Sequence, residues 1–140
     1  GLVVAQPNFA PINSQNTAYV RELAPLFMVL VGVGRYDDIW GSYIAQRVML
    51  TTPFHLHYGK PFVWQERNPQ SHWTNLAAEL FGMEYTPKFC EDLHTIKLPA
   101  HASITEKLEI LYKGLSKKSY LPSLVTELGN AWISDLQKVL

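Results

Sequence analysis

Several features that mark common protein classes are scarce or missing in this sequence. Cys90 is the single cysteine, so an internal disulfide is excluded. The 12 basic residues are balanced by 12 acidic ones, whereas nucleic-acid-binding domains usually present a basic face. The longest apolar stretch, residues 23–33, is interrupted by Pro25 and Gly32 and is shorter than the ~20 residues that span a bilayer. We therefore expect no nucleic-acid partner and no membrane span in this chain.

What remains is the composition of a globular domain. The chain has 140 residues, of which 47% are hydrophobic, and this is enough for one hydrophobic core. It opens on the apolar run Gly1–Val4 without a lead-in, as though inside a sheet. We predict an α/β fold that leans toward α+β, and we expect the chain to be a piece of a larger fold.

Short apolar segments bounded by turn residues predict strands early in the chain. We predict a buried strand over residues 2–5, further strands at 17–20 and 27–31, and short strands within 54–63. Between them, residues 21–26 are predicted to form a helical turn or two.

Apolar residues spaced three and four apart predict helices in the rest of the chain. The first stripe is Trp40, Tyr43, Ile44 and Val48, with Arg47 on the same face, and the second is Trp73, Leu76, Ala77 and Leu80. We expect the second helix to stop at Gly82, and residues 85–99 show no clear pattern.

Residues 101–140 predict a pair of helices. Ser103 followed by Glu106 matches a capping box, in which two side chains satisfy free backbone N–H groups reciprocally. Pro122 suits the start of the next helix. The apolar stripes are Leu108, Leu111 and Leu115, and then Val125, Leu128, Trp132, Leu136 and Val139. We predict an antiparallel pair packed against residues 1–100 within one domain.

The run Gly-Arg-Tyr-Asp-Asp-Ile-Trp at residues 34–40 is the most informative stretch of the chain. Two adjacent carboxylates stand between an arginine and a tryptophan, directly before the first predicted helix. Aspartates are costly to bury unless a cation, a metal or hydrogen-bond donors compensate them. In one interpretation, Asp37 or Asp38 caps the helix by accepting from the free N–H groups of its first turn. In the other, the stretch forms a pocket in which a carboxylate acts on a polar ligand.

Two stretches resemble the C-terminal half of the reversibly glycosylated polypeptides, also called UDP-arabinopyranose mutases. They are Gln-Asn-Thr-Ala-Tyr-Val-Arg-Glu-Leu at 15–23 and Gly-Arg-Tyr-Asp-Asp-Ile-Trp-Gly at 34–41. Residues 38–47, followed by Gln-Glu-Arg-Asn-Pro at 65–69, resemble even more closely the glycosyltransferase-like domain of the plant STELLO proteins and their relatives. The similarity covers roughly residues 10–85, with a weaker echo in the C-terminal helices. The mutases carry a histidine shortly before their Asn-Pro step, where this chain has Val-Trp-Gln, and this favours the STELLO-like branch.

The resemblance implies a GT-A-type glycosyltransferase fold that uses a nucleotide-sugar donor. Such folds carry a metal-binding Asp-x-Asp in their nucleotide-binding half, and this sequence has none. The resemblance therefore implies that residues 1–100 form the acceptor-binding and catalytic half. A donor-binding half, with a manganese or magnesium ion, is then expected outside this chain. The relatives are cytoplasmic or Golgi-associated, and the implied partners are a nucleotide sugar, a carbohydrate acceptor and a larger glycan-synthesis assembly.

Asp38 and Asp37 are the predicted catalytic residues, with Asp38 the stronger candidate. Glycosyl transfer develops positive charge at the anomeric carbon and removes a proton from the attacking hydroxyl. A carboxylate at the head of a helix can accept that proton or stabilise that charge. From the residues alone, both aspartates could instead only cap the helix and form ion pairs. The resemblance favours the catalytic role.

The predicted substrate-binding residues are Arg35, Trp40, Asn16, Glu66 and Asn68. Arg35 could bind a diphosphate through its planar guanidinium, or it could hold Asp37 or Asp38 in place. Trp40 could offer its ring to a sugar, but its helical spacing with Tyr43 is equally that of core residues. The other three suit sugar hydroxyls, and their alternative role is ordinary loop polarity.

His55 and His57 make a weaker prediction of a metal site. In a strand, alternation places both side chains on one face. Two ligands fall short of the usual three or four, so a cation would be held mainly by residues elsewhere.

The predicted function is transfer or rearrangement of a sugar from a nucleoside-diphosphate-sugar donor. The alternative is a non-catalytic module that binds carbohydrate or docks onto a glycan-synthesis complex through its C-terminal helices. An exposed stripe from Val125 to Val139 would favour docking, and a buried stripe would leave it unsupported.

Overall fold

The computed structural model describes residues 1–139 and shows a helix-rich α+β fold, so the predicted fold class is confirmed. The helices are α1 (Asp37–Met49), α2 (His72–Thr95), α3 (Ile104–Leu115) and α4 (Ser123–Val139). The strands β1 (Leu2–Val3) and β2 (His57–Tyr58) pair antiparallel, with Leu2 opposite Tyr58 and Val3 opposite His57. Short 3₁₀ helices lie at Ser14–Asn16, Arg21–Leu26 and Gly34–Tyr36. No helix within the described residues is both long enough and apolar enough to cross a membrane.

Helix α1 lies at the centre of the fold. Every residue from Trp40 to Met49 is buried, and α2, α3 and the 3₁₀ helix Arg21–Leu26 pack around it. A helix buried on all sides must satisfy its polar side chains internally. Gln46 therefore donates to the Ala10 carbonyl at 2.7 Å and accepts from the Ala10 N–H at 2.9 Å. Together with the bond from the Ile12 N–H to Ser42 Oγ (3.3 Å), this fastens residues 10–12 along α1.

Arg47 satisfies the C-terminal end of α2. Its Nε donates to the Leu93 carbonyl at 2.9 Å and its Nη2 to the Ile96 carbonyl at 2.5 Å. The last carbonyls of a helix have no intrahelical partner, and a cation there also complements the helix dipole. One guanidinium thus joins the central helix to the end of its neighbour.

The predicted end of α2 at Gly82 is wrong, because the helix continues through Gly82 and Pro87 to Thr95. Gly82 is buried under the ring of Tyr36, so the glycine serves close packing and does not end the helix. The helix predicted from the stripe at Trp73, Leu76, Ala77 and Leu80 is present, but these four residues are exposed. Trp73 is 82% exposed and Leu80 56%, whereas the later residues Phe89 and Leu93 are fully buried.

Most of the predicted strands are absent from the described structure. The buried strand predicted at 2–5 is the exposed two-residue strand β1, and 54–63 contains only β2. Residues 17–20 and 27–31 are not assigned to any strand. In the second segment, Leu30 is fully buried and the Met28 carbonyl lies close to Gly41, so this apolar segment covers α1. The helical turn predicted at 21–26 is confirmed as a 3₁₀ helix.

The predicted C-terminal helix pair is confirmed. Ser103 and Glu106 form the capping box at the start of α3, and Gly129 of α4 lies against the Tyr112 ring. Further along α4, Gln137 donates to Glu109 at 2.6 Å, and Glu109 comes before Tyr112 in α3. The two helices therefore run antiparallel. Val125 and Leu136 are buried and Val139 is 77% exposed. Leu128 and Trp132 are half-buried, so Val139 is the one exposed residue of this stripe, and docking through the C-terminal helices is unsupported.

Candidate functional site

The two aspartates begin α1 after a sharp turn in the backbone. Gly32 and Gly34 have φ of +105° and +65°, a conformation that glycine adopts without strain. The helix cap position is Tyr36, which makes no side-chain cap bond, so the aspartates are first-turn residues and not the predicted cap. Asp37 Oδ1 accepts from the Asp38 N–H at 2.8 Å. Carboxylates in a first turn are stabilised by the positive end of the helix dipole.

Asp38 also holds a distant loop over the head of α1. Its Oδ2 accepts from both the N–H (3.0 Å) and the Oγ (3.3 Å) of Ser14. The loop has its own internal bonds, from the Gln15 N–H to Asn13 Oδ1 (2.8 Å) and from the Thr17 hydroxyl to the Asn13 carbonyl (2.5 Å). Within residues 1–139, Asp38 Oδ1 accepts no protein hydrogen bond and is free for another donor.

A small cavity of about 310 Å³ opens where this loop meets α1. Asp37, Asp38, Ser14 and Ser42 supply its polar wall, and Tyr19 with Met28 part of its apolar wall. The Tyr19 ring is stacked on Phe27 at 4.2 Å between centroids and is 51% exposed. A carboxylate beside an exposed ring is an arrangement that suits a polar ligand with apolar faces, such as a sugar.

A larger groove of about 770 Å³ adjoins this cavity. The two share Ile12, Thr17, Tyr19 and Phe27 as lining residues. The groove is otherwise lined mainly by residues 15–18 and 54–63, and amide, imidazole and aromatic side chains alternate along it. Three residues of the sequence prediction, Asn16, His55 and His57, line this groove. The structure therefore places them on the groove that adjoins the cavity of the aspartates.

The remaining predicted residues lie elsewhere. Arg35 and Asn68 line a separate cavity of about 390 Å³, with Arg67 and Glu79. Glu66 is exposed and lines none of these three spaces.

Two predicted roles are corrected by the contacts. Arg35 forms an ion pair with Glu79 on α2, Nε to Oε1 at 2.9 Å, and so does not hold Asp37 or Asp38. Trp40 is fully buried, stacks on Phe89 at 4.2 Å, and donates its Nε1–H to Thr86 at 2.8 Å.

The Trp40 ring is thus a core side chain and offers no face to a sugar. The core alternative for Tyr43 is confirmed, and burial raises the pKa of its phenol to about 12.

The described residues do not provide a complete metal site. No group of three or more His, Cys, Asp or Glu side chains within residues 1–139 could hold an ion. His55 and His57 are exposed, and the His57 ring lies against Gly1. Two exposed imidazoles fall short of a stable coordination set, so these residues do not fit a resident metal by themselves.

Sequence reasoning missed Ser14 and Tyr19. Ser14 stands in a polar run that reads as an ordinary loop, and its partner Asp38 is 24 residues away. Tyr19 lies inside a segment that was predicted as a strand, where alternation gives no reason to single it out. Nothing local in the sequence indicates either role.

A second buried polar centre lies away from these cavities. Asp92 on α2 accepts from Lys118 Nζ at 2.6 Å and from the Tyr120 hydroxyl at 2.9 Å. Tyr120 also stacks on Tyr85, with ring centroids 5.1 Å apart. This centre fastens α2 to the connection between α3 and α4. Both carboxylate oxygens of Asp92 already accept a hydrogen bond, so we assign the centre a structural role.

Fold and site together define a helix-rich α+β domain with a carboxylate-bearing helix end that opens on a polar and aromatic groove. Comparison with known proteins finds relatives of low sequence identity that carry similar descriptions. The chain is 22% identical to "Probable UDP-arabinopyranose mutase 1" of Solanum tuberosum over 146 aligned residues, which cover 97% of this chain and 39% of that protein. It is 20% identical to the protein of the same description from Zea mays and 22% identical to "Probable UDP-arabinopyranose mutase 2" of Solanum tuberosum, with the same coverage.

The chain thus spans 39% of the length of these curated relatives. No family model and no solved structure matches it. The likeness to the mutases extends over nearly the whole chain and includes the C-terminal helices.

Proposed function

We propose that this chain acts on nucleotide sugars, as part of a glycosyltransferase-like enzyme that transfers or rearranges a sugar from a nucleoside-diphosphate donor. The similarity to proteins described as UDP-arabinopyranose mutases is the observation that carries this proposal. Because the chain spans 39% of their length, a GT-A-like topology belongs to the proposal too, together with further donor contacts from a segment outside this chain that add to the donor contacts within it.

Asp38 is the proposed base or electrostatic stabiliser. Ser14 occupies Oδ2, which leaves Oδ1 to accept a proton from a sugar hydroxyl. As that hydroxyl oxygen attacks the anomeric carbon, the bond to the diphosphate breaks and the diphosphate leaves with its electron pair. A carboxylate beside this centre also stabilises the positive charge that develops there. Asp37, in the same turn, adds negative charge to the cavity wall.

The adjoining groove is the proposed sugar-binding surface. Asn16 and Gln65 can donate to and accept from hydroxyl groups, and Tyr19 can cover an apolar ring face. The cavity that holds Arg35 and its ion-pair partner Glu79 also holds Arg67 and Asn68, which supply a cationic and an amide donor that suit a diphosphate. Glu66 is retained as a substrate contact on the resemblance alone. A divalent cation enters the proposal only with ligands from outside the described residues, and no step here depends on it.

Calorimetric titration with UDP- and GDP-sugars, with and without manganese, tests the proposal. We expect saturable binding of at least one UDP-sugar and loss of that binding in Asp38→Asn. Asp135→Asn is the matched control, because Asp135 is exposed on α4 and, among residues 1–139, bonds only Lys138. If the folded chain binds no nucleotide sugar, or if Asp38→Asn binds as well as the unmodified chain, the proposal is wrong.

A non-catalytic carbohydrate-binding module is the second candidate, and the exposed Tyr19 ring in the groove favours it. Such a module would bind free sugars or oligosaccharides and be indifferent to the diphosphate. Titration with the free sugar and with UDP alone separates the two. Binding that requires both parts of the donor favours the enzyme, and equal binding of the free sugar favours the module.

A further inference from the structure

The first half of α2 carries an apolar face that nothing in the described structure covers. Trp73 is 82% exposed, Leu76 41%, Leu80 56% and Met83 47%. They are spaced three, four and three apart, so they form one straight stripe along the helix. We call these four residues the α2 seam. A patch of this extent is comparable to the largest apolar patch on a typical monomer, and such patches are often interaction sites.

The order of the seam is that of a short heptad repeat. Trp73 and Leu80 occupy a positions, and Leu76 and Met83 occupy d positions. When two such helices pair antiparallel, each a residue lies opposite a d residue of the other helix. A second copy would then place its Met83 against Trp73 and its Leu80 against Leu76. The large ring meets a flexible thioether, which packs well on aromatic edges, and the two leucines meet in the middle.

Charge does not oppose this pairing. The chain has a formal net charge of zero, so two copies approach without long-range repulsion. Glu79 flanks the middle of the seam, where like charges from two copies would approach. Its carboxylate is already paired with Arg35 at 2.9 Å. On the other flank is Ala77, which is small enough to let the helices come close.

The area matches a weak dimer. Covering the exposed parts of these four side chains in both copies removes about 900 Å² from water, taking about 200 Å² for a large side chain. Interfaces below about 1,200 Å² are typical of weak, transient complexes. We therefore propose that the α2 seam is the interface of an antiparallel homodimer that forms in a concentration-dependent manner. Leu76 also lines the cavity that holds Arg35 and Asn68, so the second copy would lie beside that cavity.

Sedimentation velocity over a wide concentration range tests this proposal, and it does not depend on the proposed function. We expect a monomer that converts to a dimer as concentration rises. Leu80→Glu and Trp73→Ser should each raise the dissociation constant at least tenfold, while circular dichroism shows that the helices are retained. Val139→Glu is the control, because Val139 is an equally apolar residue, 77% exposed on α4 and outside the seam.

Cross-linking tests the register. In the proposed pairing, Ala77 lies about 3 Å along the axis from its copy, and Glu84 about 18 Å from its copy, at 1.5 Å per residue. A short bis-maleimide should therefore link Ala77→Cys to itself and leave Glu84→Cys at the level of the unmodified chain, which carries only Cys90. A chain that stays monomeric at every concentration overturns the proposal. So does a dimer that survives Leu80→Glu, or one in which Glu84→Cys links as readily as Ala77→Cys.

Discussion

Asp38, in the first turn of α1, accepts two hydrogen bonds from Ser14, which lies 24 residues earlier in the chain. This relationship fixes the loop that forms one wall of the cavity of the aspartates and of the adjoining groove. It also assigns the two carboxylate oxygens different roles, since Oδ2 is used in the fold and Oδ1 is not. The side chain of Asp38 therefore has two roles in the candidate site. Its Oδ2 holds the loop in place, and its Oδ1 is available to a ligand.

Ser14→Ala should loosen this loop with little loss of overall stability. Both bonds lie at the surface, so we expect the free energy of unfolding to fall by about 0.5–1 kcal/mol. Amide hydrogen exchange in residues 13–17 should accelerate, because the bond from the Ser14 N–H to Asp38 is then the only link from residue 14. Ser134→Ala, on the exposed face of α4, serves as control and should change neither quantity. Unchanged exchange in residues 13–17 would show that the Ser14 hydroxyl does not help to order the loop.

Two tryptophans in the first turns of α1 and α2 should behave in opposite ways. Trp40→Ala removes a fully buried ring stacked on Phe89 and should lower the free energy of unfolding by about 3–5 kcal/mol. Trp73→Ala, measured at concentrations where the chain is monomeric, should change it by no more than about 0.5 kcal/mol. Urea denaturation of both variants checks this pair of predictions. Equal losses would mean that the burial assigned to α2 is wrong.

Asp92 should make stability depend on pH in the acid range. Burial raises the pKa of its carboxyl, but the hydrogen bonds from Lys118 and Tyr120 and the charge of Lys118 outweigh this and hold the pKa below its ordinary value of 3.8. A carboxyl with a lowered folded-state pKa contributes stability above its unfolded value, and this is lost as pH falls through the folded value. Stability should therefore decline below about pH 4.

Asp92→Asn should flatten that decline and cost about 2 kcal/mol at neutral pH, since Lys118 loses a charged partner. The free energy of unfolding, measured from pH 2 to pH 7, gives both quantities. Asp135→Asn removes an exposed ion pair and should leave the profile unchanged. An Asp92→Asn profile that parallels that of the unmodified chain would count against this assignment.

Arg47→Lys should destabilise the end of α2. The guanidinium reaches two carbonyls, of Leu93 and Ile96, from different nitrogens, and one ammonium cannot reproduce that geometry. We expect a loss of about 1–3 kcal/mol and faster amide exchange in residues 91–97. Arg21→Lys, at an exposed arginine, is the matched control. If the two variants are equally stable, Arg47 does not act as the link between α1 and α2.

The fold was predictable wherever local pattern and tertiary burial agree. The capping box at Ser103 and the periodic stripes of α3 and α4 predicted the C-terminal pair, and the stripe from Trp40 to Val48 predicted α1. The structure confirms both predictions. Helix α2 departs from its pattern because its buried face changes along its length. Its regular stripe at Trp73 faces out, while the less regular second half supplies Phe89 and Leu93 to the core. Spacing reports an amphipathic face but does not say whether the chain itself covers it.

The candidate site was predictable only in part. The aspartate pair was visible as an unusual run of carboxylates beside aromatic residues. Its partner Ser14 and the pairing of Arg35 with Glu79 depend on contacts 24 and 44 residues apart in the chain. No local signal in the sequence specifies such pairs. The sequence suggested Trp40 as the aromatic ring for a ligand, whereas the structure buries Trp40 and exposes Tyr19. This difference has the same cause, because the packing of α2 and the N-terminal loops around α1 decides which ring is buried.

The central claim is that a nucleotide sugar binds at the head of α1, and titration of UDP-arabinopyranose into the isotopically labelled chain, followed by amide chemical shifts, tests it most directly. The account predicts saturable shifts concentrated in residues 13–19 and 37–42, with Asp38→Asn abolishing them and Asp135→Asn preserving them. Shifts confined to other parts of the chain, or none at saturating ligand, would contradict it.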